Sequence, residues 1–181
     1  AEIQKVLAYI STQANAQRNR AMFCITVLAG LRVSEVAGLT IGDVRDADGT
    51  VKTEIYLSAD RVKHGHARTI YLNQRLQAEI ADYICERTWL VDSQPLFCTN
   101  RGLRHAFTAN TLTQHFHYLY KRAGVAGASS HSGRKTFITS LASQGVSVFV
   151  LASLAGHKSI STTQRYVSVN DEMKRRAVEL V

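Results

Sequence analysis

Two arginines and a histidine occur in this sequence at positions that suit chemistry on a phosphodiester. His131 and Arg134 stand three positions apart, so at the start of a helix they share a face and can converge on one phosphate. His131 can take up or release a proton near neutral pH, as a general base or acid. Arg32 supplies a second guanidinium, and two such groups can each donate paired hydrogen bonds to the nonbridging oxygens of a phosphate under attack.

The charge of the chain is distributed unevenly. The formal net charge is +8, and residues 93–170 contain no Asp or Glu. The basic residues of that stretch are Arg101, Arg104, Lys121, Arg122, Arg134, Lys135, Lys158 and Arg165. Because ordinary protein surfaces intersperse both signs of charge, the loss of every carboxylate indicates a polyanionic partner, nucleic acid.

Length and composition set the class of protein. A chain of 181 residues predicts one domain, and 45% hydrophobic residues are typical of a globular fold. No apolar run could span a bilayer and no signal pattern opens the chain, so we expect a cytoplasmic protein. Cys24, Cys85 and Cys98 are odd in number and lack metal-ligand spacing, which favours a reducing compartment over a disulfide framework or a zinc site.

The elements that must position these residues are mostly helices. Apolar residues recur at helical spacing, which predicts an α+β fold that is mainly α-helical. Helices are predicted over residues 2–10, 17–29, 32–39, 73–89, 110–123, 132–144, 147–155 and 161–167, and from residue 171 onward. Asn73 is expected to cap the fourth of them.

The apolar period changes between Val44 and Leu72, where strands are expected. Residues 53–57 and 68–72 are rich in β-formers, and Asp48-Gly49 supplies a turn before the first of them. We therefore predict a small three-stranded antiparallel sheet. Its last connection, residues 60–67, is predicted to be a surface loop with Gly65 near its tip.

Three segments carry a resemblance to a known family. They are Ala29-Gly30-Leu31-Arg32-Val33-Ser34-Glu35, His131-Ser132-Gly133-Arg134, and Leu154-Ala155-Gly156-His157-Lys158-Ser159-Ile160-Ser161-Thr162-Thr163-Gln164-Arg165-Tyr166. In this order they resemble the catalytic domain of the tyrosine recombinases, which include phage integrases and bacterial chromosome-dimer resolvases. Each string is weakly specific alone, whereas three in order beside a basic hairpin are strongly specific. The match covers nearly all of the chain.

The resemblance implies a set of catalytic residues and a nucleophile. The implied residues are Arg32, Lys63, His131, Arg134, His157 and Tyr166. By this resemblance Tyr166 would be the nucleophile. A phenol with a pKa near 10 attacks only when cations and a base draw off its proton, and this set supplies both. Lys63 would protonate the leaving 5′-oxygen, or else is a solvated loop lysine. Glu35 is expected to orient Arg32 rather than to react.

Four further residues are expected to contact DNA: Lys135, Lys158, Arg61 and His64. Lys135 stands where many family members have a second histidine, and we interpret it as a phosphate contact. Ser132-Gly133 also departs from the family pattern, since many members have Asp-Leu there. His64 either contacts the DNA backbone or is simply exposed.

The resemblance also implies an activity and an assembly. We expect strand exchange on double-stranded DNA through 3′-phosphotyrosyl intermediates and free 5′-hydroxyls, without cofactor or metal, by a homotetramer on paired sites. The isolated domain could be a monomer. The terminal helix, residues 170–181, is exchanged between protomers or packs on its own domain. The N-terminal core-binding domain usual in the family is missing from this chain, and we favour a fragment over a member built of the catalytic domain alone.

Other classes of function remain as alternatives. A type IB topoisomerase uses similar groups, but relaxes one duplex instead of joining two. A DNA-binding regulator without catalysis is disfavoured by the complete set of six residues. A metal-dependent nuclease is disfavoured because residues 93–170 offer no carboxylate ligand.

Overall fold

The order of helices and strands follows the sequence pattern closely. The computed structural model describes residues 2–62, 67–87, 91–100 and 105–180. The helices in this part are α1 (Glu2–Ser11), α2 (Ala16–Leu28), α3 (Val33–Ala37), α4 (Ile41–Val44), α5 (Gln74–Ile84), α6 (Ala109–Arg122), α7 (Ser132–Ser143), α8 (Val148–Ala155), α9 (Ile160–Gln164) and α10 (Asp171–Val178). The strands are β1 (Glu54–Leu57) and β2 (Arg68–Tyr71). The prediction of a mainly helical α+β fold is thus confirmed.

Helix α2 forms the centre of the core. Its residues Met22, Phe23 and Ile25 are buried, and α1, α5 and α7 pack around it. A helix that is apolar on most sides is stable only when other elements cover it on several sides. The first turns of α3 and α7, which carry the candidate site, therefore rest on a rigid central helix.

The sheet has two strands in the described residues rather than the three predicted. β1 and β2 pair antiparallel, with Glu54 opposite Tyr71 and Leu57 opposite Arg68. In place of a third strand there is an isolated bridge between Arg45 and Val51. Residues 46–50 form the loop between these two residues, and further pairs do not form because α4 ends at Val44, so the backbone is helical where a longer strand would have to continue. Asp48 fixes that loop by accepting hydrogen bonds from the amide and hydroxyl of Thr50.

Local capping explains several helix boundaries. Asn73 caps α5 as predicted, because its side-chain oxygen accepts from the amide of Leu76 at 2.9 Å. α5 ends at Ile84 and a 3₁₀ turn, Cys85–Arg87, follows, while the rest of the predicted helix lies outside the described residues. α4 was not predicted, although Asp43 accepts from the amide of Thr40 at its first turn. None of the described helices combines the length and the apolar character needed to cross a membrane.

Candidate active site

Arg32 and Glu35 meet at the start of α3. The amide of Arg32 donates to Glu35 Oε2 at 2.7 Å, and Arg32 Nη1 donates to Glu35 Oε1 at 2.9 Å. The Glu35 side chain has no exposed surface. Gly30 precedes this turn with a φ of +68°, and a Cβ there would lie 2.4 Å from the ring of Phe137. Glu35 therefore fixes the direction of the Arg32 guanidinium.

Arg134 enters the same region from the first turn of α7. Gly133 lets α7 approach α2 closely, since a Cβ at that position would lie 2.1 Å from Thr26 Oγ1. Arg134 is only 7% exposed and donates to the carbonyl oxygen of Gly30 at 2.6 Å. It donates as well to the carbonyl of Ala155 at the end of α8. Arg134 thus joins the turn before Arg32 to the segment that precedes His157.

A third arginine, Arg68, lies beside these two. It is the first residue of β2, and its Nη2 donates to Glu35 Oε2 at 2.8 Å while its Nη1 donates to the carbonyl of Ala155 at 3.0 Å. The sequence pattern identified Arg68 only as the beginning of a strand. The one signal that could have found it is its type, because an arginine heading a strand of β-formers needs a polar partner when the strand is buried.

The carbonyl end of α8 gathers all three guanidinium groups. Ala155 accepts from Arg68 and Arg134, and Arg32 Nη2 donates to the carbonyl of Gly156 at 3.2 Å. The last carbonyls of a helix lack partners within the helix and carry partial negative charge, so cations are stabilised there. The pKa of Arg134 is lowered to about 9, mainly by burial and secondly by the charges of Arg32 and Arg68. Arg134 is therefore still cationic at neutral pH.

His157 follows this helix end and is held by a buried hydroxyl. Its Nδ1 lies 2.8 Å from Thr163 Oγ1, and Thr163 is fully buried. The pKa of His157 is lowered to about 4, mainly by burial and secondly by the charge of Arg134, so the ring is neutral at pH 7. The ring lies nearly parallel to that of Tyr166, with 6.4 Å between centroids and 23° between planes. Sequence reasoning did not single out Thr163, which lies between the two residues in one of the three motifs.

Tyr166 lies just beyond α9 and borders a small pocket of about 230 Å³. His131, Arg134 and Lys135 line the same pocket. His131 is exposed at the N-cap of α7, and its side chain caps no backbone amide there. The structure therefore brings His131, Arg134 and Tyr166 together. The His157 ring stacks on that of Tyr166, and Arg32 donates to the carbonyl of Gly156, the residue before His157. Lys63 and His64 lie outside the described residues.

The predicted DNA contacts have different surroundings. Lys135 and Lys158 are exposed, and Lys158 follows His157 directly. Arg61, by contrast, donates to both carboxylate oxygens of Asp43, at 2.7 and 2.6 Å, and this bond raises its pKa. Its charge is largely balanced, so it is the weakest candidate for a DNA contact. In the described part of the chain, no group of three or more His, Cys, Asp or Glu side chains could hold a metal ion.

The chain belongs to the phage integrase family, whose model matches residues 1–173. The family resemblance stated from the sequence is thereby confirmed. The chain is similar to tyrosine recombinase XerC of Pelobacter propionicus, with 32% identity over 155 residues that cover 84% of this chain and 48% of the relative. It is also similar to tyrosine recombinase XerA of Pyrococcus furiosus, with 30% identity over 179 residues, 98% of this chain and 59% of the relative. The chain spans about half the length of the curated relatives it matches.

Solved structures share the fold. The crystal structure of XerA recombinase matches with a TM-score of 0.77 and 26% identity, over 99% of this chain and 62% of that one. The Tn1549 transposon integrase in complex with a circular intermediate DNA matches with a TM-score of 0.79 and 23% identity, over 99% of this chain and 63% of that one. XerH recombinase bound to its difH substrate matches with a TM-score of 0.71 and 22% identity, over 97% of this chain and 51% of that one.

Proposed function

We propose that this chain is the catalytic domain of a site-specific DNA recombinase that cleaves and rejoins strands through a covalent bond to Tyr166. The observation that carries the proposal is that three guanidinium groups meet at the carbonyl end of α8, directly before a neutral histidine whose ring stacks on Tyr166. That grouping suits a phosphodiester, which carries negative charge before, during and after attack. Relatives named tyrosine recombinases support the same reaction.

In the proposed reaction the Tyr166 hydroxyl attacks phosphorus in line with the 5′-oxygen. The new bond joins the tyrosine oxygen to the 3′-phosphate, the bond to the 5′-oxygen breaks, and the phenolic proton passes to His131. Lys63 supplies the proton that the departing oxygen takes. Arg32 and Arg134 neutralise the nonbridging oxygens, and each uses two of its five N–H donors in the bonds described above, which leaves donors for phosphate. Resealing reverses these steps, so it needs neither ATP nor ligase.

His157 acts in this scheme as a neutral hydrogen-bond donor. With the Thr163 hydroxyl donating to Nδ1, the ring carries its proton on Nε2, which is then free to donate to a nonbridging oxygen. The lowered pKa supports this assignment because a neutral ring has one donor and one acceptor nitrogen. The scheme therefore assigns the buried Thr163 hydroxyl as the donor to Nδ1, the role that leaves the His157 proton on Nε2.

The proposed partner is double-stranded DNA, bound in the cytoplasm by a homotetramer. Exposed Lys135 and Lys158 lie in the stretch without carboxylates, and XerH and the Tn1549 integrase were each solved with DNA. In α10 no residue is buried, and Val178 is 72% exposed. An apolar side chain as exposed as that of Val178 supports the proposal that the C-terminal segment is exchanged between protomers.

The test uses nicked suicide duplexes carrying a library of candidate sites. Because the hydroxyl is needed for bond formation, Tyr166→Phe should abolish the covalent protein–DNA adduct while leaving DNA affinity unchanged. Tyr56→Phe, at a tyrosine 64% exposed on the sheet, is the matched control and should form adduct normally. Adduct should also form in excess EDTA, since the positive charge comes from side chains.

Four results would contradict this proposal or change the reaction that it assigns. Equal adduct from Tyr166→Phe would remove the nucleophile. A strict requirement for Mg²⁺ would favour a nuclease, and DNA retention without any adduct would favour a silent regulator. Relaxation of one plasmid without joints between two duplexes would favour the topoisomerase.

A further inference from the structure

Arg68, one of the three arginines in contact with the end of α8, is more enclosed than Arg32. Its side chain is 9% exposed, against 17% for Arg32. It bonds to two parts of the site that are distant in sequence, the carboxylate of Glu35 on α3 and the carbonyl of Ala155 on α8. Burial is the largest influence on its pKa, which is lowered, while the charge of Glu35 opposes the shift.

Stabilisation of the fold explains this buried cation poorly. Among the described residues, Nε of Arg68 is buried without a hydrogen-bond partner. A buried N–H without a partner costs about 1–3 kcal/mol, and a buried ion pair is often no better for stability than apolar residues of similar volume. A role in the chemistry accounts for the residue better than a role in folding.

The backbone around Arg68 is shaped to admit it. Gly156 has a φ of +60°, and a Cβ at that position would lie 2.3 Å from Nη1 and 2.8 Å from Cδ of Arg68. The arginine therefore fills the space that any side chain at position 156 would need. The turn that leads into His157 is thus built directly against the Arg68 guanidinium.

We propose that Arg68 is a positioning residue that holds Glu35, and through Glu35 the guanidinium of Arg32, against the carbonyl end of α8. This proposal rests on the proposed recombinase function. Glu35 Oε2 accepts from both the Arg32 amide and Arg68, so the carboxylate is fixed from two sides and presents Oε1 to Arg32 Nη1. Without Arg68 the carboxylate loses one of these anchors, and Arg32 loses its fixed direction toward phosphate.

The test compares Arg68→Gln with Arg20→Gln by single-turnover cleavage of suicide duplex at saturating DNA. Arg20 likewise pairs with a buried carboxylate, donating two bonds to Glu79, but lies outside the site described above, which makes it the matched control. Because positioning groups typically contribute about 10–100-fold, Arg68→Gln should slow cleavage by that factor with DNA affinity unchanged. Arg20→Gln should cleave normally. Arg68→Lys should recover only part of the rate, because an ammonium lacks the planar fork that spans two acceptors.

A double-mutant cycle separates positioning from a merely structural effect. If Arg68 acts through Arg32, then Arg68→Gln should slow an Arg32→Ala protein by less than about threefold, because coupled sites are not additive. If the losses of cleavage rate in the two single variants add in the double variant, or if Arg68→Gln cleaves at the unaltered rate, the proposal for Arg68 is overturned. Adduct formation by the unaltered protein would still support the proposed function. An unaltered protein that forms no adduct on the library would overturn both.

Discussion

Glu35 is the carboxylate that balances the arginine cluster, and Glu35→Gln tests how much the fold depends on it. The side chain has no exposed surface and accepts three hydrogen bonds, two of them from Arg32 and one from Arg68. Glutamine keeps the shape but replaces one acceptor oxygen with an amide that points donors at a guanidinium. Two buried cations would then face a neutral group.

The expected loss follows from this burial. Removing one partner of a buried ion pair typically costs about 3–5 kcal/mol in free energy of unfolding. The control is Glu79→Gln, which breaks a similar pair whose arginine, Arg20, is 41% exposed and can be solvated. Exposed pairs contribute about 0–1 kcal/mol, so the two variants should differ by at least about 2 kcal/mol.

Urea denaturation measures the difference directly. With a slope of about 2 kcal/mol per molar urea, Glu35→Gln should lower the midpoint by about 1.5–2.5 M and Glu79→Gln by less than about 0.5 M. High salt should reduce the midpoint shift of Glu79→Gln and leave that of Glu35→Gln unchanged, because buried pairs are screened less than exposed ones. Equal midpoints for the two variants would refute the reasoning, since they would mean that the cluster is stable without its counter-charge.

Two further predictions concern backbone fit and pH. Gly145→Ala should cost about 1–2 kcal/mol for its positive φ alone, because nothing lies within 4 Å of the added Cβ. Gly156→Ala should lose more stability than Gly145→Ala, and cleavage activity as well, because its Cβ meets Arg68. Equal losses of unfolding free energy in the two variants would contradict the predicted clash. His115 lies on α6, and its burial is the main cause that lowers its pKa to about 4. The folded state therefore resists protonation of this ring, and the free energy of unfolding should fall as pH drops from about 6.5 toward 4. His115→Leu should flatten that fall in denaturation series across this range, and an unchanged pH dependence would exclude the role of His115.

The elements of the fold were predictable because their causes are local. Apolar spacing set the helices, and the cap at Asn73 follows from one side chain and an amide three residues on. The approach of Arg32 to Glu35 was likewise predictable, since three residues along a helix bring two side chains together. The strand count was wrong because α4, which was not predicted, ends at Val44 and leaves Arg45 to form a single bridge to Val51.

The supporting part of the candidate site was not predictable for the opposite reason. Arg68 and Ala155 are separated by 87 positions, and their contact exists only because the fold brings the first residue of β2 within reach of the end of α8. The acceptors there are backbone carbonyls, which every residue has and which no sequence motif marks. Thr163 differs, since its hydroxyl acts within one short segment, and its position between His157 and Tyr166 was a usable signal.

The choice of acceptors also gives the stretch without carboxylates a physical meaning. A carboxylate beside Arg134 would orient it, but it would cancel the positive charge that a phosphate must meet and would repel the phosphate itself. Carbonyl oxygens of Gly30 and Ala155 orient the same guanidinium through hydrogen bonds and leave its full charge in place. Glu35 can be tolerated because it is shared between Arg32 and Arg68 and has no surface open to a substrate. The cluster therefore keeps a net positive charge while its arginines are fixed in direction, which is what stabilising a phosphoryl transition state requires.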